Sequence, residues 1–179
     1  MAKAHILYHH TDPVYLPSIL EVGLLARPWG GGNDTALSAI LHHRSVVWLT
    51  TQPSVSLTGA DIEFLRQQGR EDEVVAGMWM PRNGGNLVSL KIDIPKHSKK
   101  LSHYQTWVKK NEAVILNKDG VGRCNDDGEP WTTASHLKDC LPSMASWYIH
   151  FGDISPKRIA VTRGVTLATP SGADAYGRS

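Results

Sequence analysis

Much of what would sort this chain at once into a well-marked class is missing from it. No stretch approaches the roughly 20 consecutive apolar residues of a membrane-spanning helix. The start, Met1-Ala2-Lys3-Ala4-His5, lacks the apolar run of a signal peptide. We therefore expect a soluble, cytoplasmic protein. Only two cysteines occur, Cys124 and Cys140. They sit in a loop-like region and could bridge, but we expect free thiols. Charge of either sign is also in short supply: 19 Lys and Arg face 17 Asp and Glu, a formal net charge of +2. That is too mild to argue for nucleic acid on electrostatic grounds, because a dedicated binder concentrates basic residues on one face.

The usual catalytic signatures are absent too. The Gly30-Gly31-Gly32 run has neither the lysine nor the Ser or Thr of a phosphate-binding loop, so it reads as a flexible lid. Histidines 5, 9, 10, 42 and 43 form two clusters. Adjacent histidines on a strand face opposite ways and no Cys-x-x-Cys pair is present, so we expect no metal site. No Ser-His-Asp arrangement is signalled.

What is present is an ordinary core. With 179 residues, 41% of them hydrophobic and 20% charged, the chain can fold alone without a staple. We expect one domain over residues 1–169, a mobile tail at 170–179, and a monomer. Alternation and turn signals predict a short strand Ile6 to Tyr8, then a helix stopping at Gly23 with Ile19 and Leu20 on one face. A short helix from Thr35 to His43 and a strand from Val46 to Thr51, buried on both faces, come next. Further on lie a helix Asp61 to Gln68, a strand Leu87 to Ile94 with one wet face, and a helix Leu101 to Val108 carrying Tyr104, Trp107 and Val108 on one side. Residues 117–142 read as a long loop. Trp147 to Phe151 and Arg158 to Thr162 read as two last strands. With helices mostly in the first half, the order indicates an α+β fold.

The most informative stretch is Leu7-Tyr8-His9-His10-Thr11 followed by Leu16-Pro17-Ser18-Ile19-Leu20-Glu21-Val22-Gly23. A strand ending on a histidine and a threonine, then a polar loop and a short helix, resembles the opening of the ADP-ribosyltransferase fold. There a His-x-Thr or His-x-Ser strand end presents its polar groups to the nicotinamide ribose of NAD. Val47-Trp48-Leu49-Thr50-Thr51 is similar to that family's central strand of an aromatic residue followed by hydroxyls. The segment from Ser146 to Pro156 is similar to its late strand. The resemblance implies two packed, mainly antiparallel sheets around an NAD cleft with short helices. It also implies NAD as the cofactor, and transfer of ADP-ribose to a protein or nucleic-acid acceptor. It places His9 and Thr11 at the nicotinamide ribose, Trp48 and Thr50 around the nicotinamide, and Trp147 beside them, with His10 and Arg44 as further cofactor contacts. Compact bacterial and phage members of this superfamily serve as toxins or counter-defence factors, and the resemblance implies such a role.

One departure stands out. Many members begin the late strand with a catalytic glutamate, and here Ser146 holds that place. Breaking the bond between nicotinamide and ribose builds positive charge on the ribose carbon, so a carboxylate is needed nearby. Glu63, Glu112, Glu129 and Asp153 are the candidates, with Asp153 nearest the strand, although Asp153 also reads as a plain turn residue and the glutamates as solvated charges. The serine leaves open a degenerate module that binds NAD, ADP-ribose or a protein without turnover. A third reading is an RNA 2′-phosphotransferase, whose Arg-x-His-Val-His-Leu-Ser strand resembles Arg44-Ser45-Val46-Val47-Trp48-Leu49-Thr50, with Val46 where that family has its histidine. On strand alternation, Tyr8 is expected in the core and His10 on Tyr8's side of the strand.

Overall fold

A computed structural model describes residues 4–28, 44–54, 57–70, 87–111, 122, 124 and 128–162. Strand β1, Ala4–Thr11, is longer than the apolar run alone implied, because His9, His10 and Thr11 continue its pairing. Asp12 accepts a hydrogen bond from Val14 N and turns the chain through Pro13–Tyr15. Helix α1, Leu16–Val22, carries Pro17 in its first turn, where no amide donor is needed, and stops at Gly23 with φ +94°. Ile19 faces the core while Leu20 is 46% exposed, so the two do not share one face.

Next come the two-residue strand β2, Arg27–Pro28, and strand β3, Ser45–Thr50. Val46, Val47, Leu49 and Thr50 of β3 are all buried, as expected of a strand covered on both sides. Helix α2, Gly59–Gln67, is opened by Thr58 and followed by Gly69 at φ +68°. Strand β4, Val88–Pro95, buries Leu90, Ile92 and Ile94 on one side. The segment read as one helix is divided: Leu101–His103 is strand β5, and only Tyr104–Lys110 is helix α3. Pairing with the edge of strand β6, Trp147–Phe151, outweighs local helix preference in those three residues.

The long loop expected at 117–142 contains helix α4, Thr133–Asp139. Its start is a capping box in which Thr132 and Ser135 bond each other's backbone amides. Two of the four described helices therefore lie beyond residue 100. Strand β7 is Ile159–Val161. The expected helix at 35–43, the glycine lid and the tail at 170–179 fall outside the described residues.

All strand pairs are antiparallel, in the order β5-β6-β3-β1-β4-β7, with β2 also on β3. The described strands thus form one continuous sheet, where two packed sheets were expected. Its halves meet at a single residue pair, Tyr8 with Thr50. Leu7, Leu90, Ile92 and Ile94 from one half pack with Val47 and Leu49 from the other, and Ile19, Leu24 and Ile154 complete that core. A second cluster lies on the opposite face of β3 and β6, where Tyr104, Trp107 and Val108 of α3 cover Val46 and Ile149. Each fully buried aliphatic or aromatic side chain contributes about 1.5–3 kcal/mol from transfer out of water. No described helix is long and apolar enough to cross a membrane. Cys124 is exposed and Cys140 half-buried, and each is a thiol.

Candidate functional site

The site begins where β1 and β3 separate. Beyond Tyr8 and Thr50, β1 follows β4 alone, while β2 takes the other end of β3 at Val46 and Ser45. Between those two attachments the carbonyl of Trp48 is reached by a side chain: His9 Nδ1 lies 2.9 Å from it. A carbonyl only accepts, so Nδ1 carries the hydrogen and the neutral ring keeps Nε2 as an acceptor. Burial lowers the His9 pKa below the usual histidine range, and the Trp48 bond opposes this only in part. His9 is therefore a neutral, oriented imidazole.

His10 projects from the other side of β1. Its Nε2 donates to Gln52 O at 3.2 Å, and its Nδ1 meets Ser89 Oγ at 2.8 Å. Ser89 also donates to Pro53 O at 2.9 Å. Three contacts need three hydrogens, and a neutral His10 with one serine hydroxyl supplies two. Burial, with the neighbouring His9 adding to it against the Gln52 bond, still pushes the His10 pKa down to about 4. His10 thus pins the turn after β3 onto β4. Tyr8 is half-buried, and Leu7, at 1% exposure, is the core residue there.

Thr50 opens a second chain of hydroxyls. It accepts from Gln52 N at 3.1 Å and donates to Ser146 Oγ at 2.9 Å, and Ser146 donates to Ser143 O at 2.7 Å. Ser143 N in turn bonds Asp61 Oδ1 at 2.8 Å. Asp61 Oδ2 accepts from the amide and hydroxyl of Thr58 at 2.8 and 2.7 Å. Burial alone would raise the Asp61 pKa, but these donors more than offset it and hold the carboxyl below its ordinary value. Asp61, 0% exposed, was not among the candidate carboxylates. Its signal was the Thr58-x-x-Asp61 spacing of a helix capping box.

The remaining candidates are dispersed. By strand alternation, His9 and Thr11 share the Leu7 face, whereas Trp48 and Thr50 share the Tyr8 face. Thr11 is buried at 8% exposure. The Trp48 ring meets Tyr104 at 4.8 Å and Trp147 at 5.5 Å, edge to face, within the α3 core. Arg44 stacks its guanidinium 4.8 Å above Phe151, at the opposite end of β3 from Thr50. Asp153 accepts Ala26 N at 2.7 Å in the turn after β6, the role of a turn residue. Glu63 is exposed and bonds Gln67, Glu129 is exposed, and Glu112 lies outside the described residues, as do His42 and His43. The sequence thus brings His9 to β3 and Ser146 to Thr50. No candidate carboxylate among the described residues hydrogen-bonds His9, Thr50 or Ser146. No protein-family model, no curated protein and no solved structure matches the chain.

Proposed function

We propose that this chain binds NAD at the split between β1 and β3 and acts as an ADP-ribosyltransferase on a protein or nucleic-acid acceptor. The observation that carries the reading is the His9 bridge to Trp48 O. It joins the two segments whose residues resemble the family, and it leaves Nε2 as a fixed acceptor for a ribose hydroxyl. A neutral imidazole suits that task, because it adds no positive charge beside a ribose carbon that itself becomes positive. NAD supplies the scissile bond between nicotinamide and ribose. The chain supplies orientation through His9, with Thr11 following on the same face of the strand. Toxin or counter-defence activity is the role we attach to this chemistry, by analogy with the family its sequence resembles.

A second reading, binding of NAD or ADP-ribose without transfer, is favoured by one specific observation. The Ser146 hydroxyl is committed to Thr50 and Ser143 and carries no charge. The RNA 2′-phosphotransferase reading keeps Arg44, but that guanidinium is stacked on Phe151. Mass spectrometry of the chain and candidate acceptors incubated with NAD separates the first two readings. Transfer adds a covalent ADP-ribose and releases nicotinamide, and binding alone gives neither.

A further inference from the structure

A separate depression of about 360 Å³ lies where the turn between β4 and β5 meets the end of β6, and it shares no residue with the His9 group. Its walls carry His97, Ser98, Lys100, His150, Asp153 and Arg158. Lys100 and Arg158 are exposed cations, and neither has a carboxylate partner among the described residues. Two basic side chains and one carboxylate, Asp153, thus line the depression, and Asp153 Oδ1 is already taken by Ala26 N.

The backbone that carries both cations is held in place. Pro95 O accepts from Ser98 N, Ser98 O from Leu101 N, and Lys100 O from Phe151 N at 2.8 Å, which locks the turn against β6. Arg158 Nη1 donates to Asp93 O at 3.3 Å. Gly152, at φ +86°, has no side chain, and Lys100 Nζ lies 3.6 Å from where its Cβ would be, so the glycine keeps the ammonium's surroundings clear. His150, 6% exposed, lines the same depression, with Nδ1 donating to Gly152 O at 2.8 Å. The neutral ring therefore has no N–H left for an anion, and it feels both cations: burial, opposed by the Gly152 bond, then Lys100 and Arg158 lower its pKa.

We propose that this depression is a binding site for the phosphate group of a small phosphorylated ligand, held by Lys100 and Arg158. A hollow of this size lined by two cations suits a phosphomonoester of sugar-phosphate size, because its two or more charged oxygens can accept from more than one side chain. An extended polyanion needs a longer basic track.

The test is a titration of the full chain with ribose 5-phosphate at constant ionic strength, reading backbone amide shifts at Lys100, Gly152 and Asp153. Parallel titrations use inorganic phosphate and an eight-nucleotide DNA strand without terminal phosphates. Saturable shifts at these residues with ribose 5-phosphate or phosphate are expected, weakened about tenfold in Lys100→Ala and in Arg158→Ala, the loss of one charge-assisted bond. Both positions are exposed, so the variants should melt like the parent. Shifts that never saturate, shifts confined to the DNA strand, or equal affinity in both variants would overturn the proposal.

Discussion

Replacing Asp61 by asparagine is the sharpest test of how this fold holds its β3 end. The change keeps shape but removes the charge and turns one oxygen into a donor. That donor must face either the Ser143 amide or the amide and hydroxyl of Thr58, all of which are donors themselves. A hydrogen bond to a buried charged acceptor contributes roughly 1.5–3 kcal/mol, and a lost helix cap costs about 1 kcal/mol. The contributions are not additive, so the expected loss for Asp61→Asn is about 3 kcal/mol. Urea unfolding should show it as a lower midpoint at unchanged slope. Thr58→Ala, which removes one donor and one acceptor of the same box, should lose about 1 kcal/mol. Glu63→Gln, on the exposed side of the same helix, should stay within about 0.5 kcal/mol. Because the folded Asp61 pKa lies below its ordinary value, its contribution is present above about pH 4 and fades as pH falls through the folded pKa. Parent-like stability in Asp61→Asn would refute the network as described.

Gly23→Ala combines a positive φ with a Cβ that would overlap the Ile154 carbonyl oxygen, so a loss of about 3 kcal/mol or more in the same urea assay is expected. The pKa values of His9, His10 and His150 are all lowered by burial, so the unfolded chain takes up protons first. Stability should therefore fall as pH drops from about 6.5 towards 4, and His10→Gln should flatten that slope in thermal melts; a slope identical to the parent's would count against it.

The β-rich frame was legible because strands such as Leu87 to Ile94 and Trp147 to Phe151 announce themselves by alternation and apolar content. Gly23 and Gly69 marked their helix ends through the backbone freedom that only glycine has. Leu101–His103 was missed because its strand state depends on a partner edge 45 to 49 residues away in sequence, which local periodicity does not report. Helix α4 was missed because it is short, and its start rests on a Thr132 and Ser135 pair in a stretch poor in apolar anchors. At the candidate site, the family resemblance implied that residues of β1 and β3 surround one nicotinamide, and the two strands are neighbours in the sheet. The facing of their side chains was not legible, since it depends on a register, Tyr8 opposite Thr50, that no single segment encodes. Asp61 escaped notice because a capping carboxylate and a buried network carboxylate have the same sequence signature.

The most direct measurement is calorimetric titration of NAD into the parent chain and into His9→Ala, with thermal melts confirming that the variant is folded. The account predicts one site per chain in the parent and affinity at least about tenfold weaker in the variant, the cost of one oriented hydrogen bond to the ribose. No heat in the parent, or the same affinity in both, would contradict it.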